Sequence, residues 1–188
     1  MPRRLFSRLI AGFRPAIDAI TTHPLVRRHV PALADPNLWH VNRRSAARAV
    51  AVGLFCGLIP GPLQAAGAIA GSLGLRANFP LAVATTFYTN PFTIVPLYVV
   101  AYEYGRLFFP GSPPAVAVAL PWAAGATEWL AALLAWMAEL GPPLAVGLVL
   151  LAVTLAATGW GAVRLAWRWH TVRAWRRRSR VRAASARA

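Results

Sequence analysis

Long apolar stretches fill the middle of this chain, and two of them are interrupted near their centres by helix-stopping, hydrogen-bonding residues. The first carries Pro60-Gly61-Pro62 followed by Gln64, the second Thr89-Asn90-Pro91 followed by Thr93. Proline has no backbone donor and its ring clashes with the preceding turn, so neither point supports a continuous helix. From Ala49 to Leu75 a single rod would measure about 40 Å, longer than a ~30 Å hydrocarbon core. Folded at Pro60-Gly61-Pro62, each arm reaches about halfway, and Arg76 returns to the side from which the segment set out. The second segment starts at Pro80, stops at Thr89-Asn90-Pro91 and resumes to about Tyr104. Thr85, Thr86, Tyr88, Thr89, Asn90 and Thr93 cluster around its stop.

Inside a bilayer the backbone groups freed by such breaks need partners, which confines them to protein-buried or water-lined places. The polar residues at the breaks therefore have two readings. They satisfy the interrupted backbone, or two half-helix ends face each other and hold a polar ligand, as matched broken segments do in transporters.

The remaining pattern is helical. Leu5, Phe6, Leu9, Ile10 and Phe13 recur at helical spacing between arginines from Arg3 to Arg14, which predicts a basic amphipathic helix on the membrane surface. Pro24, Pro31 and Pro36 make the following stretch a linker, with a helix start near Asp35-Pro36-Asn37. After a Pro/Gly-rich loop between Phe109 and Pro114, a helix is predicted to about Leu140. Trp122, Trp129 and Trp136 form one stripe on it, with Glu128 and Glu139 on a neighbouring stripe. A tryptophan stripe points to packing or an interface, and Glu128 is functional only if that helix spans the membrane. Gly141 to Val163 holds no charge and predicts a transmembrane helix, closed by Trp160, Trp167 and Trp169 with Arg164 and Arg168. From His170 a short helical extension and then disorder are expected.

The pattern predicts an all-α integral membrane protein of about four apolar helical segments plus the N-terminal amphipathic helix. The first two segments are broken, re-entrant or kinked, at Pro60–Pro62 and Asn90–Pro91. Three regions follow: a basic N-terminal region and linker over 1–36, a membrane domain over 37–170, and an Arg-rich cytoplasmic tail over 171–188.

Composition agrees with a membrane home. At 57% hydrophobic and 13% charged, the 188 residues are too apolar for an ordinary soluble domain. All 20 basic residues are arginine, and only Arg76 and Arg106 lie between Arg48 and Arg164, so the net charge of +15 sits at the two ends. Basic flanks stay cytoplasmic and meet anionic lipid, which predicts a multi-pass membrane protein with both termini inside and an even number of crossings, two or four. Nucleic-acid binding by the tail from Arg173 to Arg182 is the competing use of that charge, disfavoured because the arginines abut apolar segments. No cleavable signal peptide is expected within Met1 to Phe13. The single cysteine, Cys56, reads as packing, and Gly53, Gly57, Gly61, Gly67 and Gly71 as smooth faces for close helix approach.

Candidate chemistry is sparse. His23, His29, His40 and His170 all lie in the basic flanks, no carboxylates are paired at short spacing, and there is no metal-ligand cluster or phosphate-cradling loop. Neither enzymatic activity, a cofactor nor a metal is expected. The candidate ligand-binding residues are Gln64, Thr89, Asn90 and Thr93 at the breaks, with Arg44, Arg48 and Arg76 to attract an anionic headgroup. Trp39 with Arg43, Arg44 and Arg48 also reads as an interfacial anchor, and Glu103 with Arg106 as a shallow ion pair.

The run from Asn37 to Gln64, containing Asn37-Leu-Trp-His-Val-Asn-Arg-Arg44 and Gly57-Leu-Ile-Pro-Gly-Pro-Leu-Gln64, is followed by Arg76-Ala-Asn-Phe-Pro80, Thr89-Asn-Pro-Phe-Thr93 and Trp167-Arg-Trp-His-Thr-Val-Arg-Ala-Trp175. This ordered set resembles the bacterial domain of unknown function family 2062 over almost the whole chain. The resemblance implies a small bacterial inner-membrane protein, in some members fused to a glycosyltransferase, with no established activity to carry over. The paired breaks are also similar in architecture to the re-entrant hairpins of DedA-type lipid-carrier transporters, a likeness that assigns no residue role. A small transporter or lipid translocase is the leading expectation. A non-catalytic scaffold or accessory subunit for an envelope enzyme, acting through the glycine- and tryptophan-lined faces in a homo-oligomer or with a partner, is the alternative.

Overall fold

The computed structural model describes residues 38–39, 41–61, 63–115, 118 and 125–185, with backbone alone at 174 and 177–185. The amphipathic helix expected over Arg3–Arg14, the 1–36 region, His40, Pro62 and Trp122 lie outside them. Five helices are described: α1 Arg43–Cys56, α2 Leu63–Leu75, α3 Phe79–Thr86, α4 Ile94–Arg106 and α5 Ala126–Ser185. The described elements are all helical.

Local chemistry sets the boundaries. Asn42 starts α1 with a capping box: its Oδ1 accepts the Arg44 and Ser45 N–H groups at 2.9 Å each, and the Asn42 N–H donates to Ser45 Oγ at 3.1 Å. The α1 helix stops at Gly57, short of Pro60, and Gly61 takes φ 72 to turn the chain into α2. The end of α2 is a Schellman motif, in which Ala77 N–H donates to Ser72 O and Arg76 N–H to Leu73 O. Arg76 occupies the left-handed position of that motif at φ 48, where glycine is the usual residue. Asn78 caps α3, accepting the Leu81 N–H at 3.0 Å, and Pro80 falls in the first turn, where a missing donor costs nothing.

Register follows from the interhelical contacts. α1 and α3 run parallel, from Asn78 N–H on Ser45 O, past Gly53 against Ala82 and Thr85, to Gly57 against Tyr88. α2 runs back along α1, with Gly67 at Cys56, Gly71 at Val52 and Arg48 Nη1 donating to Leu75 O at 3.0 Å. The first broken segment is therefore a helical hairpin. The second does not reverse: α4 continues in the direction of α3, and Tyr98 on α4 meets Leu58 just beyond α1.

The α5 helix has two arms. Gly141, at φ 62 and ψ −149, ends the first, and Pro142 and Pro143 occupy the first turn of the second. Along the first arm, Leu130 reaches Gly61 and Trp136 lines a cleft with Tyr102, so this arm runs with α4. Along the second, Pro143 lies against Gly105, Gly147 against Ala101, and Gly159 against Leu54 and Val50, so it runs against α4 and then against α1. Thus α4 and α1 stack end on end along one continuous rod. Buried Leu58, Tyr98, Ala101, Tyr102, Leu133, Trp136, Leu144 and Leu151 form the core where these pieces meet. A second core of Ala49, Val52, Cys56, Ala68, Ala77 and Ala82 lies between α1, α2 and α3.

By length and composition one described helix, Ala126–Arg173, is long and apolar enough to cross a membrane. The four segments expected from sequence are thus four short helices and one long, kinked one. Two readings hold in detail. Trp129 and Trp136 pack on the core, and Cys56 is buried in the second one. A third needs correction: the helix runs to Ser185 where disorder was expected beyond a short extension. The Glu103–Arg106 ion pair is present, and Glu103 Oε1 also accepts the Ala115 N–H at 2.9 Å, tying down the loop after α4.

Among the described glycines, the tightest approach is that of α4 on α5. A Cβ at Gly147 would overlap Ala101 O, and one at Gly105 would overlap Pro143 O. Gly74 on α2 has nothing within 4 Å. Gly147→Ala is therefore expected to lower stability by about 1–3 kcal/mol through overpacking, whereas Gly74→Ala leaves it unchanged or raises it by up to about 1 kcal/mol. Unfolding midpoints of the two purified variants in detergent check this contrast.

Candidate functional site at the paired helix breaks

A helix that stops leaves its last carbonyls without intrahelical donors. α1 stops against apolar surroundings, and three hydroxyls from the second broken segment meet its final turn. Tyr88 OH donates to Leu54 O at 2.7 Å, Thr89 Oγ1 donates to Gly57 O, and Tyr98 OH donates to Leu58 O at 2.7 Å. A buried carbonyl left unpaired costs about 1–3 kcal/mol, so these bonds join the two breaks as well as satisfy them.

Thr89 is the meeting point. It is 5% exposed, and besides Gly57 O its Oγ1 lies 2.9 Å from Thr86 O and 3.0 Å from Gln64 Oε1. Gln64 stands in the first turn of α2, on the far side of the hairpin tip. One hydroxyl therefore touches the ends of α1 and α3 and the start of α2.

Of the residues expected at the breaks, Gln64 and Thr89 are brought together. Asn90 and Thr93 flank them in a different role. Asn90 Oδ1 accepts the Phe92 and Thr93 N–H groups at 2.9 and 3.1 Å, while Thr93 Oγ1 accepts the Asn90 N–H at 3.0 Å and donates to Tyr88 O at 2.7 Å. These bonds cap the turn into α4. Pro96, in the first turn of α4, needs no donor there.

The arginines lie at another level. Arg48 is nine residues before Gly57, about 14 Å along the helix axis. Arg44 is one turn further, and Arg76 follows Leu75, the last residue of α2, whose carbonyl Arg48 holds. All three are exposed.

Sequence reasoning placed Thr86 and Tyr88 at the second break but missed Tyr98 and Gly57 as parts of this cluster. The available signal was the count of carbonyls that a stopped helix orphans, which calls for nearby hydroxyls. Two buried donors have no protein partner among the described residues: Asn78 Nδ2 at the start of α3, and Trp129 Nε1 beside the core. No group of three or more His, Cys, Asp or Glu side chains placed to hold a metal is found among the described residues.

A family model described as an uncharacterized protein conserved in bacteria (DUF2062) matches residues 26–176. No curated protein and no solved structure matches the chain.

If Asn90 serves as a cap, Asn90→Ala should cost about 1 kcal/mol and Asn90→Asp should retain most of the stability. Chemical-denaturant unfolding of the two variants measures the difference.

Proposed function

We propose, for a chain that belongs to the DUF2062 family of bacterial proteins, that it is a small inner-membrane transporter or lipid translocase whose site is the junction of the two helix breaks. The observation that carries this reading is the contact of Thr89 with Gln64 and Gly57, residues 25 and 32 positions away in sequence, which joins the two breaks. Broken helices whose ends meet in an apolar layer are the arrangement by which membrane carriers expose backbone and polar side chains to a substrate.

In this reading the α1–α2 hairpin enters the bilayer from the cytoplasm and returns. The α3–α4 pair crosses in two halves, and the second arm of α5 crosses back. Two full crossings leave both Arg-rich termini inside, in line with the charge distribution. Arg44, Arg48 and Arg76 sit at the cytoplasmic boundary and gather anionic headgroups, while Gln64 and Thr89, flanked by Asn90 and Thr93, contact the polar group at the midplane. Residues 37–170 then form the membrane domain, between cytoplasmic flanks over 1–36 and 171–188.

One observation favours the scaffold alternative. Leu63, Phe87 and Phe92 around the breaks are 65%, 67% and 78% exposed, an apolar rim that a partner subunit or a second copy would cover.

The two readings part over water. In a Cys56→Ala background, single cysteines placed by Leu63→Cys and Phe92→Cys are expected to react with membrane-impermeant thiol reagents, from opposite sides in intact cells and inverted vesicles. Absence of labelling at both positions from both sides would sink transport and leave the scaffold.

A further inference from the structure

The oxygen atoms around Thr89 outnumber the hydrogens available to them. Thr89 Oγ1 carries one hydrogen and lies within hydrogen-bond distance of three acceptors: Gly57 O, Thr86 O and Gln64 Oε1. With the hydroxyl hydrogen given to Gly57 O, two close oxygen pairs remain with no hydrogen between them, and among the described residues Thr86 O is met only by the Thr89 N–H at 3.3 Å. Thr86 Oγ1 does not help, because it donates to Val83 O at 2.7 Å.

Two of these oxygens belong to parallel helices that end side by side. Gly57 caps the C-terminus of α1 and Thr86 is the last residue of α3, so the negative ends of two dipoles converge on Thr89, against the one positive end brought by the first turn of α2 with Gln64. The arginines of α1 lie toward its other end, and Arg76 lies at the far end of α2. The helices framing the cluster, α1, α2 and α3, contain no carboxylate.

We propose that Gly57 O, Thr86 O, Thr89 Oγ1 and Gln64 Oε1 form a binding site for a small monovalent cation, sodium foremost. All four ligands are neutral hard oxygens, from two unwound helix ends, a hydroxyl and an amide. Sites for calcium and magnesium draw on carboxylates, which these helices lack, so the charge balance selects a single positive charge. The close oxygen spacing favours a small ion over potassium. The competing arrangement rotates the Gln64 amide so that its NH₂ group donates to Thr89, which satisfies the cluster without an ion. The inference rests on the transport reading for its purpose, since it names the coupling ion, and on the geometry alone for the site.

The test is the thermal unfolding midpoint of the purified full-length protein in detergent, followed by tryptophan fluorescence in sodium, potassium or choline chloride at equal ionic strength. The expected result is a saturable rise with sodium, a smaller one with potassium and none with choline. Thr89→Ser should keep the response, and Gln64→Leu and Thr89→Val should lose it. Gln64 is only half-buried, so its variant carries the test even if Thr89→Val does not fold. Equal midpoints of the unmutated protein in all three salts would overturn the site. Thiol labelling of the breaks without a sodium response removes the ion and keeps transport. A sodium response with unlabelled breaks keeps the ion and removes transport.

Discussion

Everything in this fold answers to the carbonyls at the end of α1. A helix that stops in apolar surroundings must find donors for its last turn, and here they come from another segment: Tyr88, Thr89 and Tyr98 reach Leu54, Gly57 and Leu58. The bonds set the register of α3 and α4 against α1 and bring the second break level with the first. A methylene-lined contact would tolerate sliding, whereas a buried hydroxyl on a buried carbonyl has one good position.

Close approach does the rest. Gly53 and Gly57 admit α3, Gly71 admits Val52, and the crossing of Gly105 with Gly147 lets the backbones of α4 and α5 touch. Such approach brings backbone against backbone and favours association through packing. The second arm of α5 acts as the common support. α1 rests on one part of it and α4 on another, so two short helices from different stretches of chain together make the equivalent of one long one.

Much of this was legible in the sequence for physical reasons that can be named. Proline marks where a helix must end, so both breaks were placed, and the four-residue glycine spacing announced the α1 contacts. The tryptophans at 129 and 136 were read as packing and do pack. The direction taken after each break was not legible: the first reverses, the second continues, and only the pairing of hydroxyls with carbonyls separates these outcomes. Gly105 and Gly147 belong to no repeat, so nothing in either local pattern pointed to their meeting. The seven candidate site residues looked like one set because a sequence carries no register, and they occupy two levels. The tail was read as disordered from its charge, yet alanine and arginine are strong helix formers, and a helix already nucleated extends at one bond per residue.

The length of that helix has its own consequence. From Pro142 to Ser185 the second arm measures roughly 65 Å, more than twice the ~30 Å of a hydrocarbon core. A flexible tail would let its arginines fold back beside the apolar part of the chain. A continuous helix holds them apart from it, so the positive charge is carried outward like a spar from the end of the apolar stretch.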